Sequence, residues 1–313
     1  MLRYIIRRLL LAIPILLAVF TLVFLVVRVI PGDPATSALG DYASKEAVEA
    51  LRERMGLNEP LHIQYLQFLG NLLRGDFGVS LINGQPINEQ VAYALPYTIQ
   101  LTLASVFLGI LLGVPLGVIT AMNRNNAIDY LGRIISLVGL SVPAFYFGIL
   151  LMLLLAVKIN VFPAVGGGDL REDPIGSLKF LVLPTLTLGL IMTTSVTRLA
   201  RSAMLNVLSE DYVRTARAKG LAERAVVVRH ALRSALLPIV SITGFWAASL
   251  IGDSVLTEYI FSRPGLGKML VGAILQRDYT ALQSVMVIYA AFVVIINLLT
   301  DLTYGFLDPR ISN

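Results

Sequence analysis

The chain has 313 residues, of which 56% are hydrophobic and 14% are charged, and it contains no cysteine. Soluble domains carry about 25% charged residues, and the mean hydropathy of +0.77 lies far on the apolar side. This composition excludes an ordinary soluble domain, and the lack of cysteine excludes a disulfide framework. The isoelectric point near 9.5 does not indicate nucleic-acid binding, because no basic patch with aromatic or groove-reading residues accompanies it.

Six apolar stretches have the length of about 20 residues that a membrane-spanning helix needs. The predicted fold class is therefore an all-α, polytopic membrane protein with six transmembrane helices. The first stretch is too long for a cleaved signal peptide, and no small-residue cleavage site follows it. The stretches cover residues 9–30, 97–121, 134–157, 180–200, 236–257 and 283–306.

The distribution of basic residues predicts the orientation of these helices. Arg3, Arg7 and Arg8 precede the first stretch, so the positive-inside rule places residues 1–8 in the cytoplasm. An even number of spans returns residues 307–313 to the same side. We therefore expect a multi-pass membrane protein with both termini in the cytoplasm.

Residues 31–96 form the largest predicted segment on the extracytoplasmic side. The segment opens with the turn Pro31-Gly-Asp-Pro34, after which Ser44 is placed to cap a helix that Gly56 would end. A second helical stretch is predicted from Pro60 to about Arg74. Two interpretations stay open: a helical lid packed on the ends of the spans, or a contact surface for an extracytoplasmic partner.

A basic, amphipathic insert at 201–235 separates the fourth and fifth stretches. Ser209 is placed to cap a short helix, acidic residues follow in its first turn, and basic residues stand in its last turn. Gly220 then stands where a left-handed residue would close the helix. These features predict a structured bend and not a simple connection between two spans.

The second half of the insert has one narrow apolar face at helical spacing, formed by Leu221, Ala225, Val228, Leu232 and Ala235. A single basic amphipathic helix is more often an interfacial anchor than a docking element. Two such helices around a glycine bend favour a docking surface for a cytoplasmic protein.

The insert resembles the cytoplasmic coupling loop of ABC importer permeases. That loop reads Glu-Ala-Ala, three residues, Gly, and then Ile-x-Leu-Pro; the matching residues here are Arg214-Thr215-Ala216, Gly220 and Leu236-Leu237-Pro238. Arg and Thr replace Glu and Ala, and the separation between glycine and proline is longer than in the generic motif. Both departures are typical of the peptide-importer branch.

Other motifs of that branch follow in order along nearly the whole chain. The chain is therefore similar to the B-type permease subunit of dipeptide and oligopeptide importers, and it departs from the pattern at Thr280, where the family often has proline. The matching motifs are Pro31-Gly-Asp-Pro34, Gly75-Asp-Phe-Gly78, Ser141-Val-Pro-Ala-Phe145, Phe261-Ser-Arg-Pro-Gly-Leu-Gly267, Arg277-Asp-Tyr279 and Asp308-Pro-Arg310.

The resemblance implies the ABC type I importer permease fold, with residues 97–306 as the permease core. It implies as partners a second, homologous permease, two cytoplasmic ATP-binding subunits and an extracytoplasmic peptide-binding protein, all acting at a lipid bilayer. The residues expected to couple this chain to an ATPase are Ser209, Glu210, Asp211, Tyr212, Arg214, Thr215, Ala216, Arg217, Lys219, Gly220 and Leu221.

The chain has no predicted catalytic residue, cofactor or metal site of its own. A phosphate-binding loop of the form GxxxxGK[ST] is absent, because Gly265-Leu-Gly-Lys268 lacks the first glycine and the following hydroxyl residue. ATP and magnesium ions are therefore expected on the partner ATPases. His62 and His230 have no metal-ligand spacing around them.

Four residues are candidates for the translocation path. Asp253 lies well inside the fifth stretch and Glu258 near its end, and an acid in a membrane span usually faces a polar interior. Pro143 interrupts the third stretch, and Phe145 ends the motif Ser141-Val-Pro-Ala-Phe145 that contains it. The alternative for Pro143 is a packing kink, and the alternative for Asp253 is a hydrogen bond to the second permease.

Three other functions remain as alternatives at this point. An aspartyl intramembrane protease would use Asp253 and Asp301, but the sequence lacks a Tyr-Asp within a span, and Leu250 occupies the first glycine position of Gly-x-Gly-Asp. An ion-coupled secondary transporter would leave the insert unexplained. A permease for nickel chelates, glutathione or another small ligand would use the same scaffold.

Overall fold

The computed structural model describes residues 2–29, 32–40, 42–168 and 172–307. Within these ranges the regular structure is helical, apart from one isolated β-bridge between Val79 and Pro86. The predicted all-α class is confirmed. The helices are α1 (Leu2–Val29), α2 (Pro34–Leu39), α3 (Lys45–Arg54), α4 (Leu61–Leu73), α5 (Ile87–Met122), α6 (Ala127–Ser141), α7 (Ala144–Leu151), α8 (Pro174–Leu208), α9 (Asp211–Ala218), α10 (Glu223–Ala225), α11 (Leu232–Ile260), α12 (Leu266–Gln276) and α13 (Tyr279–Leu307), and two π-helical segments, Met152–Lys158 and Val226–Ala231, follow α7 and precede α11.

Five helical segments in the described ranges are long and apolar enough to cross a membrane. They account for five of the six predicted stretches, and several extend beyond the predicted limits because a helix continues past its hydrocarbon-compatible part. The largest extension is in the segment Glu223–Ile260, which begins thirteen residues before the predicted span, and α5 begins ten residues before its own. The segments are Ile5–Val29, Ile87–Met122, Pro174–Leu208, Glu223–Ile260 and Tyr279–Thr303.

The third predicted span, 134–157, is not one straight helix. Helix α6 and the segment Ala144–Lys158 meet at an angle of 100° and together form a broken span or a re-entrant loop. The break lies at Val142, which has an extended backbone, and at Pro143, which precedes α7. Proline lacks the backbone N–H and disfavours helical geometry in the residue before it, which explains a break at this point.

The two ends of the helical bundle differ in what they carry. Helices α2, α3, α4 and α12 lie at one end, which we call the loop end, and α9 lies at the other, which we call the insert end. At the loop end the Ser80 hydroxyl and the Asp278 carboxylate are 2.5 Å apart, and both side chains are buried. At the insert end Arg8 of α1 and Asp301 of α13 form an ion pair at 2.7 Å.

Helices α5 and α8 make the most extensive contact among the described helices, along a row of glycines. A β-carbon added at Gly109 would lie 2.6 Å from Met192, and one added at Gly113 would lie 2.7 Å from Val196. Gly117 faces Ala200 in the same way. Glycines four residues apart allow two helix backbones to approach closely in a membrane.

A buried ion pair joins α6 to α8 at the insert end. The Arg201 guanidinium donates to both carboxylate oxygens of Asp129, at 2.6 and 2.8 Å, and Asp129 is fully buried. Arg133 adds a third charge 3.5 Å from the same carboxylate. Bidentate geometry of this kind fixes orientation as well as distance, so the first half of the broken span is held against α8.

The helices predicted within residues 31–96 are present at the loop end. The Ser44 hydroxyl accepts the backbone N–H of Ala47, and Gly56 has a φ of 66° after α3, so the predicted cap and stop are confirmed. Helix α4 begins after Pro60 and packs on α1, where Tyr65 lies 5.3 Å from Phe24 between ring centroids. The segment is therefore packed on the first span.

Arg28, near the end of α1, does not extend toward solvent as a snorkelling side chain would. It donates to Gln64 at 3.1 Å and to Gln283 at 3.3 Å, and it stacks on the Phe24 ring. The motif residue Pro31 and the C-terminal residues 308–313 lie outside the described residues.

Candidate functional site

The segment from Ser209 to Leu221 is a short helix presented at the insert end. Of the eleven predicted coupling residues, ten are exposed and only Ala216 is buried. Helix α9 covers Asp211–Ala218, so it begins two residues after the predicted cap. Ser209 does not cap it: its hydroxyl donates to the carbonyl of Asn206 at the end of α8. That part of the prediction was wrong, because α8 continues to Leu208 and Ser209 ends it.

Two apolar side chains attach α9 to the rest of the chain. Val213 and Ala216 are buried against Val226, Val207 and Leu208. These contacts link α9 to the end of α8 and to the helical segment that leads into α11. A force applied to α9 therefore reaches two spans directly.

The bend after α9 has the predicted left-handed glycine. Gly220 has a φ of 76°, and its α-carbon faces open space, since an added β-carbon would meet nothing within 4 Å. Across the bend, Arg217 donates to both carboxylate oxygens of Glu223, at 3.1 and 2.7 Å. This pairing raises the pKa of the Arg217 guanidinium and fixes the two arms of the bend relative to each other.

The predicted apolar face of the second half of the insert is confirmed only at its C-terminal end. Ala235 is buried and Leu232 packs against the same core, but Leu221 and Val228 are exposed, and Val227 and Ala231 are buried in place of Val228. Leu221 precedes the first turn of α10, and the π-helical segment Val226–Ala231 changes the angle between successive side chains. Because a π-helix uses i→i+5 hydrogen bonds, the regular 3.6-residue pattern does not hold across it.

The loop end contains a buried polar cluster formed by the segment 258–267 and α5. The carboxyl group of Glu258 is fully buried and accepts the backbone N–H of Gly267 at 2.6 Å. It therefore occupies the N-terminal end of α12, where orphan N–H groups favour an acceptor. Leu266 completes this connection by donating its N–H to the Thr98 hydroxyl at 2.9 Å.

Arg263 fixes the same segment to α5 from the side. Its guanidinium donates to Gln100 at 2.5 Å, lies 5.3 Å from the Tyr97 ring centroid, and is fully buried. Tyr97 in turn donates to the carbonyl of Gly168 at 3.0 Å. No role was predicted for these residues from the sequence, although an arginine within the motif Phe261–Gly267 was a visible signal.

The four candidate path residues have different surroundings. Glu258 does not line an open path within the described chain, since it is buried at α12. Asp253, Pro143 and Phe145 are exposed on the surface of this chain. Phe245 and Leu256 of the same helix are also exposed, and an acid exposed on a membrane-spanning helix is costly unless a polar partner or an aqueous cavity faces it.

No group of three or more potential metal ligands occurs among the described residues. Asp301, which an aspartyl protease would need as a catalytic acid, is ion-paired with Arg8. The tertiary arrangement thus places the two acids of that alternative in separate structural settings.

Comparison with known proteins assigns the chain to a protein family. Two models of binding-protein-dependent transport system inner membrane components match it, the N-terminal model over residues 1–102 and the main model over residues 113–313. The chain belongs to this family. It is thus a multi-pass inner membrane component of a transport system, as the insert motif indicated.

Relatives match this family member over almost its whole length. The oligopeptide transport system permease protein AppB of Bacillus subtilis (strain 168) is 42% identical over 99% of both chains. The dipeptide transport system permease protein DppB of Alkalihalophilus pseudofirmus is 39% identical over 100% of both. The glutathione transport system permease protein GsiC of Salmonella typhimurium (strain LT2) is 39% identical over 99% of both.

A solved structure shares the fold of the permease core. Inward-facing conformations of the MetNI methionine ABC transporter match with a TM-score of 0.57 at 18% identity, covering 70% of this chain and 96% of that one. The predicted permease fold is confirmed.

Proposed function

We propose that this chain is one permease subunit of an ATP-driven importer and forms half of the translocation pathway for dipeptides or oligopeptides. The observation that carries the proposal is the exposed α9 with its left-handed Gly220, in a chain whose full-length relatives include oligopeptide and dipeptide permeases. The remaining subunits would be a second permease, two ATP-binding subunits and a binding protein.

The insert end is assigned to the cytoplasm and the loop end to the outside. Arg7 and Arg8 at the start of α1 and the basic residues of the insert support this orientation through the positive-inside rule. In this arrangement α9 contacts an ATP-binding subunit, and the loop end receives substrate from the binding protein.

ATP binding and hydrolysis belong to the partner subunits in this proposal, with magnesium ions bound there. Closure of the ATPase pair would move α9, and the contacts of Val213 and Ala216 would pass that movement to α8 and α11. The Arg217–Glu223 pair and Gly220 keep the bend rigid while it moves. Coupling therefore requires that the bend keeps its shape, so that a displacement of α9 also displaces α8 and α11.

Asp253 is proposed to face the translocation path or the second permease, because its exposed position on α11 is unfavourable against lipid. Pro143 and Phe145 lie at the break of the third span and are proposed for the same path. Glutathione is the second candidate substrate, since the glutathione permease relative is 39% identical over 99% of this chain.

Reconstitution tests the proposal. The chain alone in proteoliposomes should show neither ATP hydrolysis nor peptide uptake. The complete importer contains the second permease, the ATPases and the binding protein. It should transport a labelled dipeptide only when ATP is present on the side of the membrane where the ATPases lie. Uptake driven by an ion gradient through the isolated chain would contradict the proposal, and competition with glutathione separates the two substrate classes.

A further inference from the structure

A groove at the loop end lies between the first turns of α5 and helix α12, beside the buried polar cluster. It has a volume of about 490 Å³, within the range of about 300–1,000 Å³ that is usual for small-ligand sites. Its lining is more apolar than polar, and it includes one charged side chain of each sign. Glu89, Gln90 and Tyr93 line it from α5, and Lys268, Gly272 and Gln276 line it from α12.

The two charged residues have different structural explanations. Glu89 stands in the first turn of α5, where the helix dipole favours an acid. Lys268 stands in the first turn of α12, where the same dipole disfavours a cation. The side chain of Lys268 is exposed, and its hydrogen bond to the carbonyl of Ser262 is long, at 3.4 Å. The stability of α12 therefore does not explain this lysine.

The wall of the groove is held rigidly. Pro264 and Gly265 line it, and they lie between Arg263, bonded to Gln100, and Gly267, bonded to Glu258. A rigid wall lowers the entropy cost of binding, because little has to be ordered when a ligand enters.

The floor of the groove contains a glycine with room for a side chain. A β-carbon added at Gly272 would meet nothing within 4 Å, so the helix does not need glycine there for packing. The groove can therefore be filled by substitution without straining the fold.

We propose that this groove receives the released peptide, with the Glu89 carboxylate binding its α-ammonium group and the Lys268 ammonium binding its α-carboxylate. The groove presents the two charges on different helices, Glu89 on α5 and Lys268 on α12, and its lining also offers glutamine amides and the Tyr93 ring for the peptide backbone and a side chain. A zwitterionic peptide complements this arrangement. The inference rests on the proposed function and assigns the residues that meet the substrate first.

The test uses the complete importer in proteoliposomes with saturating binding protein, and each variant is compared with the wild type for each peptide. Glu89→Gln should lower uptake of a free dipeptide about 10-fold, which corresponds to ~1.4 kcal/mol, and uptake of its N-acetyl form less than about 2-fold. Lys268→Met should show the same contrast between the free dipeptide and its C-terminal amide. The matched controls are Glu59→Gln and Lys179→Met, which remove exposed charges outside the groove.

Filling the groove gives a second measurement. Gly272→Leu should lower uptake of every peptide while leaving assembly with the partner subunits intact. The concentration of binding protein that half-maximally stimulates ATP hydrolysis should stay at the wild-type value for all three variants. An increase in that concentration would show that the groove docks the binding protein and would overturn the inference.

Equal losses for the free and blocked peptides in the Glu89→Gln and Lys268→Met variants, or no loss in any variant, would also overturn it. If the wild-type complex takes up no peptide, the proposed function itself fails. The two failures are therefore distinguishable.

Discussion

The two ends of the molecule differ in the burial of their charged residues. At the loop end, Glu258 and Arg263 are fully buried and hold the segment before α12 by hydrogen bonds. At the insert end, the charged residues of α9 are exposed, and the helix is attached to the bundle by the buried side chains of Val213 and Ala216 and by a hydrogen bond from Tyr212 to Ser234. The difference shows where shape is fixed internally and where a surface is left for another protein. Substitutions at the two ends should therefore fail in different ways.

The largest effect is expected at the loop end, from Glu258→Ala. The substitution leaves the buried N–H of Gly267 without its acceptor, which costs about 1–3 kcal/mol. We expect a lower apparent melting temperature of the purified complex and reduced amounts in the membrane. Glu258→Gln retains an acceptor oxygen and should lose less. A melting temperature equal to wild type for the alanine variant would show that the cluster does not hold α12.

At the insert end, Gly220→Val should uncouple ATP hydrolysis from transport and leave membrane insertion intact. Valine is disfavoured at a φ of 76° by roughly 1–2 kcal/mol, so the bend changes shape and α9 is displaced. The measurement is the number of peptides transported per ATP hydrolysed.

Gly220→Asn is the matched control for the bend. Asparagine tolerates the left-handed conformation, and its side chain would enter open space. This variant should transport near the wild-type rate. Normal coupling in the valine variant would contradict the role assigned to the bend.

The smallest effect is expected from charge reversal on the exposed face of α9. Arg214→Glu should weaken association with the ATPases by a factor that shrinks as salt is added, because exposed charges are screened. Within the described ranges the ion pair of Arg214 is a long contact with Asp211, at 3.5 Å, and its exposed side chain leaves the charge accessible to a partner.

The comparison variant is Arg217→Glu, which also breaks the pair with Glu223. It should therefore lose coupling as well as affinity. Association measured at two salt concentrations, alongside the transport ratio, separates the two effects. Identical behaviour of the two variants would show that the Arg217–Glu223 pair does not matter for coupling.

The sequence by itself determined the membrane class, the approximate spans and the bend at Gly220. Long apolar stretches and a glycine after a basic last turn are local signals, because each reports the solvent or backbone geometry of its own residues. The family motifs were equally local, and they pointed to the family that the comparisons show.

The tertiary structure determined which side chains contact each other and which are exposed. From the sequence, Glu258 was a candidate for the translocation path. In the structure its carboxylate accepts a hydrogen bond from the backbone N–H of Gly267, nine residues away on another helix. The pairing of Asp129 with Arg201 spans 72 residues, and the π-helical segment altered the face predicted around Val228. Such features depend on contacts between distant segments, and hydrophobic periodicity along one helix carries no information about them.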